Sequence, residues 1–372
     1  MKQKLLALVC ALALVVSLAG CVISTPDTVG SLGDYEISSG LYLLAQYDAY
    51  QKAADLASSD QDAANVKAFL KQTITVDSDS GETATVSDYV ARKTLENLQT
   101  YAATELRFDE LGGQLTAEEE QQADSYAQQL MDNYGDAYTA NGIGLETLKL
   151  FQQLQYKQTL LLDLVYGKDG ETPVEDGELT EHLDSTMYEI GFITVPLYNT
   201  STFAFASDDQ KAEMLSLAQK AVDSYNAAAP EDASSQMAAF NSIASSALTD
   251  ICAVLDAEVP STSTLQTDLL SESDLTDAFT QEGAADTLRG LAYGQAAAIQ
   301  YTGYAMMLAV RLDPLGVSTL DALRSQILSD MKGEELNDAL AAYGAQLDST
   351  LSNSAMSKLP AAKIVNANSA NS

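Results

Sequence analysis

Met187-Tyr188-Glu189-Ile190-Gly191-Phe192-Ile193-Thr194-Val195 is the stretch on which the fold turns. It is dense in β-branched and aromatic side chains, which fit a pleated, half-buried surface, and it reads as a strand. Upstream, Lys168–Gly177 is a polar linker bearing Gly and Pro, followed by a short helix around Leu179–Leu183. Downstream, Ser207 and Gln210 cap a helix that runs to Asn226 and is closed by Pro230. A helical piece through Phe240 and Ile243 leads into a long Ser/Thr/Asp-rich loop, and another helix follows Leu275. Gly294 breaks the chain before a strand-like Tyr304–Leu312, which Pro314 ends. Strands set among helices in this way make an α+β protein, mainly α.

Further out the pattern is helical. Val29–Ser38 holds two short apolar pieces around Gly33-Asp34, a turn signal, and Ser38 then caps a helix through Leu41, Leu44, Ala45 and Tyr47. From there to Tyr166 a helical period is expected throughout. Val90, Leu95, Leu98, Ala102 and Leu106 keep one face apolar until Gly112-Gly113 stops the helix. Thr116 and Glu119 form a capping box for the next helix, which runs toward Tyr134, and a third spans Leu145–Val165. On the far side, Leu320–Leu351 is helical and Asn366–Ser372 is a polar tail.

The first twenty residues carry an address. Lys2 and Lys4 precede an apolar run from Leu5 to Ala19, which is shorter than the ~20 residues a membrane-spanning helix needs. A basic start, a short apolar stretch and small residues at its end read as an export signal. Leu18-Ala19-Gly20-Cys21 has the pattern of a lipobox, with small residues for a peptidase cleft and the Cys21 thiol as acyl acceptor. The expectation is a lipoprotein cut before Cys21, extracytoplasmic and lipid-anchored to a bacterial membrane surface. Cys10 leaves with the signal, so Cys252 is the one cysteine left over and reads as a small buried hydrophobe.

Charge excludes some partners. The chain carries a formal −34, and without Lys2 and Lys4 it has 17 basic against 53 acidic side chains, or −36. Such a surface repels nucleic acid and anionic headgroups, and no polybasic run is present, so membrane contact is assigned to the lipid on Cys21. His182 is the sole histidine and sits among Glu178, Glu181 and Asp184 as a solvated side chain, which removes histidine-based metal sites and a serine triad. No phosphate loop or dinucleotide fingerprint occurs, and no cofactor or metal is expected. Asp77-Ser78-Asp79-Ser80-Gly81 to Asp88 is a poor match to a calcium loop, its glycine one place early. Tyr42, Tyr47, Tyr50, Tyr101, Tyr126, Tyr134 and Tyr138 fall on the helical segment, at spacings that suit either core or peptide contact.

The order of these segments resembles the PrsA/SurA family of exported foldases: a helical chaperone module, a parvulin-type prolyl isomerase domain and a returning C-terminal helix. Gly191-Phe192-Ile193-Thr194-Val195 looks like the first parvulin strand, and Glu178–Tyr188 like the helix before it. Phe240-Asn241-Ser242-Ile243-Ala244 with Asp250 resembles the F-x-x-x-A…D segment. Leu291-Ala292-Tyr293-Gly294-Gln295 resembles the L-x-x-G-[EQ] turn, and Gly303-Tyr304 the G-Y that opens the last strand. Where the family places two histidines this chain has Phe192 and Ala305, and the glycine loop expected between Asp250 and Leu275 is missing.

The resemblance implies the following division: 1–20 signal, 21–28 tether, 29–167 helical module, 168–186 linker and short helix, 187–313 degenerate parvulin-like domain, 314–360 returning helix and 361–372 disordered tail. It also implies a membrane-anchored chaperone for unfolded or nascent exported polypeptides. Phe192, Phe240, Tyr304 and Met306 would be remnants of a peptide pocket, with at least two of them serving as plain sheet-domain core. No catalytic residue is assigned. Isomerisation crosses an amide barrier of ~18–20 kcal/mol largely by holding the twisted bond in a shaped pocket, so an active isomerase without histidine is the alternative. A solute-binding lipoprotein is the third reading; it needs two α/β lobes, whereas Leu41–Tyr166 shows almost no strand pattern.

Overall fold

The computed structural model describes residues 26–58, 61–228 and 230–366. The export signal and Cys21 lie outside the described residues. The fold is α+β and mainly α, in two compact units. One takes the chain up to Leu164 together with Glu334 onward; the other is Val165–Gly333.

In the first unit β1 (Thr28–Leu32) and β2 (Tyr35–Ser38) form an antiparallel hairpin, turned at Gly33-Asp34. Ser38 accepts from Leu41 N at the start of α1 (Ser39–Asp55). A short α2 (Val66–Phe69) is followed by β3 (Thr73–Asp77) and β4 (Glu82–Thr85), a second hairpin where helix was expected throughout. Asp77 makes that turn: its carboxylate accepts from Asp79 N at 2.8 Å, Ser80 N at 3.2 Å and the Ser80 hydroxyl at 2.8 Å. The supposed calcium run is thus a hairpin loop. Thr85 caps α3 (Val86–Glu110), Thr116 and Glu119 close the expected capping box of α4 (Ala117–Ala140), and α5 is Leu145–Tyr166. Leu41, Tyr42 and Ala45 of α1 pack on Leu98 and Ala102 of α3. Of the seven tyrosines, Tyr42 and Tyr50 are buried, while Tyr47, Tyr101 and Tyr138 pack partly buried against the same core. Tyr126 and Tyr134 are exposed.

In the second unit α6 (Asp176–Thr186) leads into β5 (Met187–Pro196). Then come α7 (Asp208–Ala228), α8 (Ala233–Ala253), β6 (Gln266–Ser271), α9 (Glu272–Ala278), α10 (Ala284–Arg289), β7 (Ala296–Gln300), β8 (Ala305–Arg311) and α11 (Pro314–Val317). The sheet runs β6-β5-β8-β7, antiparallel throughout, with β5 paired on both sides. A two-residue period sorts its side chains. Ile193, Val195, Met306, Leu308 and Val310 pack on α7 and α8, and Tyr188, Ile190, Met307 and Ala309 face α9 and α10. That explains why β5 reads as a near-continuous apolar run: both of its faces are covered.

The helix α12 (Leu320–Ala345) starts in the second unit and continues in the first, and is shorter than the expected Leu320–Leu351. In the second unit Arg324 bridges Asp176 and Asp321, and His182 Nε2 lies 2.6 Å from Asp330, so His182 is paired rather than freely solvated. In the first unit Tyr343 donates to Glu110. The residues beyond α12 run along the first unit: Thr350 N donates to Ser31 O, Ser352 N to Val29 O, and α13 (Asn353–Met356) follows. Residues 361–366, expected in a disordered tail, instead form a 3-10 turn (Ala361–Lys363) and a buried Asn366 whose amide donates to Ala63 O. Residues 367–372 lie outside the described residues.

Candidate functional site

Phe240 stands on α8 at 1% exposure, edge-on to Tyr225 at 5.6 Å, and shares one core with the fully buried Met306. Both are packing residues. Phe192 projects from the opposite face of the sheet, half-buried against the core that holds Tyr188, Ile190 and Ala309. Tyr304 precedes β8 and is 57% exposed. The four therefore do not line one cavity, because the alternation of β5 and β8 sends them to different sides. Ala305, at the second family-histidine position, is buried opposite Pro196.

Tyr304 instead belongs to an aromatic edge that sequence reasoning missed. Its carbonyl accepts from Leu197 N at 2.8 Å, and Leu197 O accepts from Ala206 N at 2.9 Å. The loop between them brings Tyr198 and Phe205 together, ring centroids 5.9 Å apart. Phe203 and Phe205 are 73% and 71% exposed. The loop is tightly bound despite its exposure. Asn199 Oδ1 accepts from Ser201 N and Thr202 N, its amide donates to Leu255 O, and its backbone exchanges hydrogen bonds with Phe203 and Ala204.

Phe203 holds φ +59°, a left-handed backbone costing about 1–3 kcal/mol for a bulky residue. Each phenyl left in water also forgoes about 1.5–3 kcal/mol of burial. Strain and exposure thus occur together on a fixed loop. No charged side chain occurs between Glu189 and Asp208, in a chain otherwise crowded with carboxylates. That gap, with the Phe203-Ala204-Phe205 alternation, was the legible signal.

A second apolar surface lies in the first unit, a groove of about 380 Å³ lined by Tyr42, Leu95, Leu98, Leu351 and Met356. Beneath the α9–α10 face of the sheet, Arg311 lies between the rings of Tyr188 and Tyr293, at 4.8 and 5.2 Å. Tyr188 donates to Glu272, which also pairs with Arg289 at 2.8 Å. These polar groups are mutually engaged and serve structure. Cys252 is buried in the α8 core, and burial pushes its thiol up. Among the described residues no cluster of His, Cys, Asp or Glu is arranged to hold a metal ion.

Structural neighbours of the chain include three PrsA foldases. Foldase protein PrsA from Streptococcus pneumoniae is 12% identical, with 73% of this chain and 92% of that one covered at a TM-score of 0.36. PrsA from Bacillus subtilis is 14% identical, covering 78% and 93% at 0.29, and PrsA from Lactococcus lactis 16%, covering 75% and 95% at 0.33. No family model and no curated protein matches the chain. Likeness at this level assigns a role to no residue, and the site rests on its own geometry.

Proposed function

We propose that this is an extracytoplasmic chaperone, tethered by lipid on Cys21, which holds unfolded exported polypeptides at the membrane through weak aromatic contacts. The observation that carries the reading is an uncharged edge on which Phe203, Phe205 and Tyr304 stand open to solvent beside a half-buried Tyr198, on a loop held by its own hydrogen bonds. Aromatic rings on a fixed loop present apolar area with little entropy left to lose on binding. The surrounding acidic surface favours basic, unfolded clients and keeps the complex soluble. Among the described residues no helix is long and apolar enough to cross a membrane, which is in keeping with attachment by a lipid. Prolyl isomerisation has less support: Phe240 and Met306 are spent in the core, and Phe192 and Ala305 bring no imidazole.

The test is suppression of aggregation of reduced, unfolded lysozyme by the full chain, beside a Phe203→Ser/Phe205→Ser variant. Both side chains are exposed, so the variant is expected to fold. It should need about 10-fold more protein for equal suppression, given about 0.5–1.5 kcal/mol per aromatic contact. Equal potency of the two proteins, or no suppression by either, overturns the proposal.

A further inference from the structure

Basic side chains are scarce in this protein, and many are spent on carboxylates. Arg92, Lys149, Arg289 and Arg324 each engage two. Lys67, Lys358 and Lys363 behave differently. Among the described residues none of the three pairs with an Asp or Glu; Lys363 donates only to the Lys358 carbonyl, at 3.2 Å. All three are exposed, and all three border one cavity of about 630 Å³ in the first unit. No carboxylate lines that cavity among the described residues, and Leu43, Leu359, Pro360 and Ile364 make much of its wall apolar. Three uncompensated ammonium groups around an apolar hollow, in a chain of −34, form a local reversal of charge.

Its place in the unit is as telling as its charge. The carbonyl of Asp27 accepts from Ser39 N at 3.0 Å and that of Pro26 from the Ser39 hydroxyl, which fastens the start of the described chain to the first turn of α1. Leu43, in the cavity wall, is four residues after Ser39, one helical turn or about 6 Å along the same face. Cys21 stands five residues before Pro26, a span of at most about 18 Å. The cavity therefore sits beside the point where the lipid tether would join the unit.

We propose that this cavity receives the phosphate of an anionic glycerophospholipid headgroup, giving the tethered protein a second hold on the membrane. The inference rests on the lipid-anchor reading for its membrane setting. The lysines complement the phosphate, while the apolar wall takes the glyceryl and first acyl carbons, a combination a free inorganic anion would not use. The same lysines explain how a strongly acidic protein approaches an acidic bilayer: the repulsion is relieved locally, next to the tether.

The experiment is amine-reactive labelling of the full chain, read lysine by lysine by mass spectrometry, with short-chain phosphatidylglycerol, short-chain phosphatidylcholine or glycerol phosphate added. Because the probes are soluble, the readout does not depend on the anchor. Phosphatidylglycerol is expected to lower labelling of Lys67, Lys358 and Lys363 roughly five-fold, reversed near ~1 M salt, with the exposed Lys168 and Lys220 unchanged. Phosphatidylcholine should have little effect. Protection by glycerol phosphate as strong as by the lipid would assign the cavity to a free anion and overturn the proposal. So would unchanged labelling with every probe, or low labelling before any probe is added, which would mean that part of this chain already fills the site. The mass of the Cys21 peptide in the same digest reports lipidation separately, so failure of the anchor reading and failure of the headgroup site are told apart.

Discussion

Glu189 is only 6% exposed on the central strand β5, and burial, followed by the nearby charge of Asp268 on β6, pushes its carboxyl up to about 7. In the unfolded chain the same group titrates near its ordinary 4.5. A proton is thus retained on folding between those two values. The stability that this protonated form contributes is complete below about 4.5 and is lost as pH rises through about 7. Glu189→Gln, which keeps shape and removes the charge, should be more stable than the parent at pH ~8 by roughly 2–3 kcal/mol and equal to it near pH ~4. Urea unfolding at the two pH values measures this, and a difference independent of pH would show that folding does not shift the carboxyl's titration. At the same scale, Gly294 shows which part of the L-x-x-G-[EQ] resemblance is structural. It holds φ +76°, donates to Arg311 O at 2.7 Å, and a Cβ there would fall 2.5 Å from the Gln236 amide nitrogen. The motif was legible because glycine adopts a positive φ without the strain a side chain would bring. Glu189 was not, because alternation in a run apolar on both faces cannot say which position a neighbouring helix covers.

Elements divide by whether their own residues or their neighbours' decide them. β5 and β8 are strands on composition alone, and the capping boxes at Ser207/Gln210 and Thr116/Glu119 stand where they were read. β7 begins Ala296-Ala297-Ala298, a helix-favouring run, and is a strand because β8 offers it a partner edge and two apolar faces to cover. β3 and β4 escaped a helical reading of the segment because four or five residues are too short to show a period. The segment after α12 is decided still more remotely. Its backbone donates to β1, Leu359 is buried, and Gln46 of α1 donates to Leu359 O at 3.2 Å. Ending the chain at Asp348 would remove these contacts, worth roughly 5 kcal/mol together. Thermal unfolding of the truncated chain should fall by about 10–20 °C. An unchanged Tm would show that this segment only rests on the unit.

For the whole molecule, the excess of carboxylates matters more than any one pair. Mutual repulsion of so many like charges destabilises a compact chain and weakens as salt shortens the Debye length, from about 30 Å at 0.01 M to about 3 Å at 1 M. Stability should therefore rise with NaCl over that range, as an upward shift of Tm by several degrees. A fall would mean that surface ion pairs such as Arg92–Glu82 outweigh the repulsion. The amino-acid sequence by itself determined the fold class, the central strand, the helix caps, the acidity and the expectation of export with a lipid on Cys21. Each of these depends on residues adjacent in the chain or on simple counts. Only the tertiary structure decided that Phe240 and Met306 are core, that Tyr304 joins Phe203 and Phe205 on an exposed edge, and that Lys67 meets Lys358 and Lys363 around one cavity. These are pairings between distant segments. The free energy that selects them comes from burying faces against partners that no local window contains.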